Sequence, residues 1–197
     1  MPPTRERILA ATNELFRRKG YNGTSLKDVA TASHAPIGSI YHSFPGGKQE
    51  LGAAVLTSAG AAYLELFELI AAAAADAPNA MSAFFDGAAT ALEESDFIDI
   101  CPIGTVAREV ASTNDVLRRA AQAVFETWID AATNLFERAG LSPDVSRSLA
   151  GTLVSALEGS FVLARASRTT DGLRATGQDI RHLVESRLHV STAGPIR

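Results

Sequence analysis

Several features are scarce in this 197-residue sequence, and each scarcity excludes a class of protein. A single cysteine, Cys101, excludes an internal disulfide and a zinc site built from cysteines alone. No stretch reaches the roughly 18 uninterrupted apolar residues that a membrane helix needs, so we expect no membrane partner. Residues 1–7 alternate in charge and precede no apolar run. No secretory signal is therefore predicted, and we expect a cytoplasmic protein.

Residue sets for catalysis are also missing. Neither a Ser/His/Asp arrangement, nor a pair of carboxylates, nor a metal-ligand spacing emerges from the sequence. His34 and His42 are not spaced with a cysteine or an acidic cluster, and Gly46-Gly47-Lys48 lacks the pattern of a phosphate-binding loop. We therefore predict no catalytic residue, no metal and no cofactor.

Positive charge is scarce overall but is concentrated near the N-terminus. The net charge of the chain is −4. Residues 1–50 carry seven Lys/Arg and four Asp/Glu, whereas the other 147 residues carry 11 Lys/Arg and 18 Asp/Glu. A basic head on an acidic body is expected when only the head approaches phosphate.

The alternation typical of strands is absent, and apolar residues instead recur at helical spacing. We predict an all-α protein of about nine helices, with a three-helix helix-turn-helix domain at 1–47, a larger helical domain at 48–190 and a flexible tail at 191–197. The predicted helices span 4–19, 26–32, about 37–44, 48–75, 80–94, 102–111, 115–139, 143–167 and 172–188.

Residues 24–48 have the properties of a helix-turn-helix. Ser25 and Asp28 have the spacing of a capping box, which starts a short helix. Pro36 and the Pro45-Gly46-Gly47 break leave room for a second short helix of about two turns. Two short helices joined by a three- to four-residue turn and packed on a longer first helix form the DNA-binding arrangement.

The second short helix carries the residue types that a DNA-reading helix needs. Gly38 and Ser39 are small, so the backbone can approach base edges. Tyr41 and His42 lie near the helix end, where they can reach a phosphate. Lys48 adds a cation at the start of the next helix, whose positive dipole end also favours an anion.

These motifs resemble a known family. The residues Gly20-Tyr21, Thr24-Ser25-Leu26, Val29-Ala30 and the run from Gly38 through Lys48 to Leu51 are similar to the N-terminal signature of the TetR family of repressors. The resemblance covers about a quarter of the chain and implies a dimer that binds a palindromic operator in double-stranded DNA and is released by a small-molecule effector. The run Cys101–Ala107 resembles the LmrA-like branch, whose members control drug-efflux genes and respond to aromatic or antibiotic ligands.

The resemblance also assigns roles to individual residues. It implies that bases are contacted by Pro36, Ile37, Gly38 and Ser39, and that the DNA backbone is contacted by Thr24, Ser25, Tyr41, His42 and Lys48; Lys27 completes the predicted DNA-binding set. His34 stands where the family's turn usually has glycine, at a site where a positive φ costs histidine about 1 kcal/mol or more. Ile37 stands where a basic residue is common, so a thymine methyl becomes its expected target.

The resemblance implies that the domain at 48–190 is a ligand-binding and dimerisation domain. An apolar cavity among long helices is the usual form of a small-molecule site. Its predicted lining is Phe67, Phe84, Cys101, Phe125, Trp128 and Phe161. By resemblance the last two helices pair with their copies in a four-helix bundle, although their apolar stripes fit an internal seam equally well. The predicted dimer interface is Leu149, Leu153, Ala156, Leu157, Ser160, Leu183 and Val184.

Two other function classes stay open at this stage. One is a helical enzyme that binds a small molecule without a recognisable catalytic set, which turnover assays would reveal. The other is an architectural protein that binds any DNA sequence, which equal affinity for scrambled DNA would reveal. The acidic body disfavours the architectural protein, because only a small basic head is left to contact DNA.

Overall fold

The computed structural model describes residues 2–98 and 101–192. Over these residues the protein is all-α, with nine helices and no strand, so the predicted fold class is confirmed. The helices are α1 (Thr4–Lys19), α2 (Leu26–Ser33), α3 (Ile37–Ser43), α4 (Gly47–Ala73), α5 (Ala77–Glu94), α6 (Pro102–Val110), α7 (Asp115–Arg138), α8 (Pro143–Ser167) and α9 (Asp171–Thr192).

Most helix ends lie within two residues of the predicted ones, and two ends differ by more. Helix α5 begins three residues before its predicted start because the Asp76 side chain accepts a hydrogen bond from the Asn79 amide at 2.8 Å. Pro78 then lies in the first turn, where its missing amide proton costs nothing. Helix α9 continues to Thr192, and residues 193–197 of the predicted tail lie outside the described part of the chain.

The described residues form two compact units. The first extends to Ala62 and resumes from Ile98 to Phe125, so it contains α1 to α3, α6 and the first parts of α4 and α7. Helices α2 and α6 both pack on α1 within it. The predicted boundary at 47/48 separates a DNA-binding domain from a ligand-binding domain, and it stays a prediction. Side chains fully buried in the first unit include Ile8, Phe16, Ile40, Phe44, Leu51 and Leu117.

The second unit contains Tyr63–Phe97 and the chain from Glu126 onward. Helix α9 packs against both α5 and α8. Side chains fully buried in it include Met81, Phe85, Leu92, Phe136, Leu173 and Val184.

The residues predicted to form the dimer interface differ in exposure within the single chain. Five of the seven predicted residues are at most 7% exposed within the single chain, so they belong to its own core and add no apolar area to a dimer. Ala156 and Leu183 are half-buried. The five buried residues are Leu149, Leu153, Leu157, Ser160 and Val184.

Helices α4 and α8 keep much apolar surface exposed. Both are long and apolar enough to cross a membrane by length and composition alone, which is weak support for a membrane span. Only 28% and 33% of their most apolar windows are buried. On α8 the side chains of Val162 and Leu163 are 42% and 70% exposed. Exposed apolar faces of this kind are typical of interaction sites.

His34 ends α2 in the left-handed conformation, with φ 49° and ψ 39°, so the positive φ predicted at this position is confirmed. Because a side chain with a Cβ is strained there, replacing His34 with glycine is expected to raise the free energy of unfolding by about 0.5–1 kcal/mol. The same replacement at His42, which lies within α3, should lower it by about 1 kcal/mol. Urea unfolding of both variants tests this, and a loss of stability at His34 would contradict it.

Candidate nucleic-acid interface

The start of α2 is held by a capping box, which confirms the sequence prediction. The Ser25 amide donates to the Asp28 carboxylate at 2.9 Å, and the Asp28 amide donates to the Ser25 hydroxyl oxygen at 3.1 Å. The Ser25 hydroxyl also donates to that carboxylate at 2.7 Å. The backbone and side-chain bonds from Ser25 hold the pKa of Asp28 below its usual value, with help from Lys19 and Lys27. The first turn of α2 is thus firmly placed.

Thr24 supports this turn from the inside. Its side chain is 1% exposed, and its hydroxyl donates to the Gly20 carbonyl at 2.8 Å. The hydroxyl is therefore not presented on the surface, unlike the exposed side chains of Ser25 and Lys27. Thr24 thus holds the turn before α2 through a buried hydrogen bond.

Helix α3 presents its first turn outward. Pro36, Ile37 and Gly38 are exposed, and Ser39 is half-buried. Outside the helix's own backbone, a Cβ added to Gly38 would meet no atom within 4 Å. The structure thus brings the four residues predicted to face bases to one accessible end of the helix.

The rest of α3 divides into a buried and an exposed face. Ile40 and Phe44 are at most 1% exposed and anchor the helix, whereas Tyr41 is 51% exposed and His42 is also exposed. Residues three and four apart share one face of a helix, so Tyr41 and His42 lie on the same face as Gly38. The predicted phosphate contacts therefore adjoin the predicted base contacts.

Lys48 lies in the first turn of α4 with its Nζ 4.2 Å from the centroid of the Tyr21 ring. Burial lowers the pKa of the Lys48 ammonium, and the Glu109 carboxylate opposes this shift. Within the described part of the chain, no carboxylate forms an ion pair with Lys48. The ammonium is therefore oriented by Tyr21 and remains available to an anion.

Two residues near this surface were missed by sequence reasoning. The Arg5 guanidinium lies 5.2 Å from the centroid of the Phe44 ring, at the end of α3. In the sequence, Arg5 was counted only among the basic residues of the N-terminal head. Glu109 of α6 accepts a hydrogen bond from the Asn22 amide at 2.8 Å. No sequence signal joins residues 87 positions apart.

Four of the six residues predicted to line the effector pocket lie in the second unit. In the second unit, Phe67 and Phe84 pack edge to face with ring centroids 5.2 Å apart, and Trp128 packs against Tyr63. Phe161 lies half-buried on α8. Cys101 and Phe125 belong to the first unit, where the Cys101 sulfur accepts a bond from the Gly104 amide and caps α6.

A groove of about 430 Å³ lies between α4 and α7 of the second unit. Phe67 is the one predicted pocket residue in its lining, which also includes the charged side chains of Glu68 and Arg138. Its other lining residues are Ala71, Ala72, Ala131, Asn134 and Leu135.

Comparison with known proteins gives related families for an N-terminal and a C-terminal segment of the chain. Residues 8–55 match the family described as bacterial regulatory proteins, tetR family. Residues 77–179 match the C-terminal domain of LmrA/YxaF-like transcriptional regulators. The first match includes every residue predicted to contact DNA, from Thr24 to Lys48.

Similar full-length proteins extend these matches. The HTH-type transcriptional regulator Rv0196 of Mycobacterium tuberculosis is 34% identical over 95% of this chain and 97% of its own length. The HTH-type transcriptional repressor DhaR of a Mycobacterium species is 25% identical over 87% of each chain. A TetR transcriptional regulator from Legionella pneumophila, known from a crystal structure, superimposes with a TM-score of 0.80 and 29% identity over 94% of this chain and 97% of that one.

Proposed function

Because this chain belongs to the TetR family of bacterial regulatory proteins, we propose that it is a cytoplasmic repressor that binds a palindromic operator as a dimer and is released by a small apolar or aromatic effector. The family consists of DNA-binding transcription regulators and not of enzymes. The repressor role is supported by the similarity to DhaR, which is named a repressor.

The observation that carries this proposal is the exposed first turn of α3. Gly38 leaves open space for a duplex, and Ile37, with half of its side chain exposed, is suited to a thymine methyl. Tyr41, His42 and Lys48 would hold phosphates beside it and set the register of the helix on the duplex. Ser25 and Lys27 add phosphate contacts from the start of α2, whereas Thr24 supports the turn from within.

We assign the dimer contact to the exposed face of α8 and not to its buried stripe. The exposed positions recur every three or four residues, and their small side chains allow close approach of a second helix. Leu163 and Val162 supply the apolar area that a partner copy would cover. The exposed positions on this one face of α8 are Ser148, Thr152, Ser155, Gly159, Val162, Leu163 and Ala166.

We place the effector site in the second unit. The Phe67–Phe84 pair offers aromatic surface, and the neighbouring groove of about 430 Å³ has the size of a small-molecule site. Trp128 and Phe161 remain proposed lining residues, and Cys101 and Phe125 remain predictions. A coupling of about 1–3 kcal/mol between effector and DNA would change operator affinity about 5- to 150-fold.

Selection from a pool of random duplexes tests the proposal. The protein should enrich a palindrome whose half-sites lie about 10 base pairs apart, because two heads must reach successive major grooves. Its affinity for that duplex should exceed its affinity for a scrambled one by about a thousandfold or more. Light scattering should give the mass of a dimer. Enrichment of no sequence, or equal affinity for the scrambled duplex, would contradict the proposal.

A further inference from the structure

The DNA-facing turns of the first unit are tied at two points to the segment that contains the end of α6 and the start of α7. The backbone amide of Asn22, in the turn before α2, donates to Oε2 of Glu109 at 2.8 Å. The Gln49 side chain donates to Oδ1 of Asn114 at 2.8 Å. Gln49 follows Lys48 directly, so one tie holds the backbone of the Asn22 turn and the other joins two side chains beside Lys48.

The Glu109 carboxylate fits closely against the turn that it holds. Gly20 ends α1 with φ 71°, and a Cβ added there would collide with this carboxylate. Glycine at this position therefore provides both the positive φ and the space for Glu109. The fit places the carboxylate against the backbone of the turn and not merely near it.

Electrostatics links the same carboxylate to Lys48. Burial lowers the pKa of the Lys48 ammonium, and the negative charge of Glu109 raises it. Lys48 is oriented over the ring of Tyr21, the residue that precedes Asn22. One acidic side chain thus acts on the turn that precedes α2 and on the cation that follows α3.

The bond to Asn22 adds little to the stability of the fold, because this amide is exposed and water replaces Glu109 when the bond is lost. What the bond supplies is the position of the turn. Loss of the acceptor should therefore change DNA binding more than it changes unfolding.

We propose that Glu109 is a positioning residue for DNA binding, which acts from α6 by fixing the Asn22 turn beside Lys48 and does not itself touch DNA. The proposal rests on the proposed function, since it takes residues 24–48 as the DNA-facing surface.

Two substitutions of Glu109 separate the effect of its hydrogen-bond acceptor from the effect of its negative charge. Glu109→Ala removes both and should weaken binding of the selected duplex about two- to tenfold. Glu109→Gln keeps an acceptor oxygen and should bind as tightly as the wild-type protein or slightly more tightly. Neither should change the slope of the logarithm of affinity against the logarithm of salt concentration. Loss of a phosphate contact in Lys48→Ala should reduce the magnitude of that slope by about 0.9. Glu94→Ala, which removes an exposed acid of α5, is the matched control and should bind as the wild-type protein does.

Amide hydrogen exchange measured by NMR gives a readout without DNA. The Asn22 amide should exchange faster in Glu109→Ala and at the wild-type rate in Glu109→Gln, with the unfolding temperature unchanged in both. The proposal is overturned if Glu109→Ala matches the wild-type protein in affinity and in Asn22 exchange, or if Glu109→Gln is as weak as Glu109→Ala. If the wild-type protein selects no duplex, the proposed function fails on its own. The role of Glu109 is then tested by the affinity of the variants for a random-sequence duplex and by the exchange rate of the Asn22 backbone amide.

Discussion

Replacing Gly38 with glutamate is expected to lower operator affinity at least about 100-fold while leaving the protein folded. Gly38 is exposed at the start of α3, and an added side chain would meet no atom of the protein outside the helix's own backbone. Glutamate also favours helix more than glycine does. A carboxylate at this position would face the phosphates that line the groove, and such a juxtaposition of like charges costs several kcal/mol.

Gly87→Glu is the matched control for this substitution. Gly87 is also an exposed helical glycine with open space around it, but it lies on α5 in the second unit. Its variant carries the same added charge and should bind the selected duplex within about twofold of the wild-type affinity. Fluorescence anisotropy at one fixed salt concentration measures both variants. Equal losses at the two positions would show that charge alone, and not the surface of α3, governs binding.

Replacing Gly177 with alanine is expected to destabilise the protein by about 1–3 kcal/mol, although alanine favours helix. Gly177 lies on α9, and an added Cβ would come within 2.5 Å of the Cβ and 3.0 Å of the Cγ of Phe85 on α5. Phe85 is fully buried, so neither its ring nor its Cβ can move aside without shifting a helix.

Gly172→Ala on the same helix is the comparison. An added Cβ there meets nothing within 4 Å, so this variant should be as stable as the wild-type protein or up to about 1 kcal/mol more stable. Urea unfolding followed by circular dichroism measures both variants. If Gly177→Ala proved as stable as Gly172→Ala, the close approach of α5 and α9 would be wrong.

Features set by neighbouring residues could be predicted from the sequence. The Ser25–Asp28 capping box and the positive φ of His34 each depend on a few residues along the chain, and both are present. The exposed end of α3 also follows from a short pattern of small residues between two proline breaks. Local chemistry determines where these helices begin and end.

Features that join distant segments could not be predicted. The Glu109–Asn22 bond connects residues 87 positions apart, and nothing in the polar turn around Asn22 identifies Glu109 as its partner. The apolar stripe of α8 fitted an intermolecular and an intramolecular seam equally well, and only the folded chain shows that Leu153 and Leu157 are buried within it. Periodicity shows that a helix has an apolar face but does not identify the helix that covers it.

The entry of α3 into the major groove is tested most directly by NMR titration of the labelled protein with the selected duplex. Binding should shift the amide signals of Gly38 and Ser39 most strongly, with further large shifts at Tyr41 and Lys48. Unchanged signals at Gly38 and Ser39 in the bound state, with shifts confined to the second unit, would contradict the assignment of this surface to DNA.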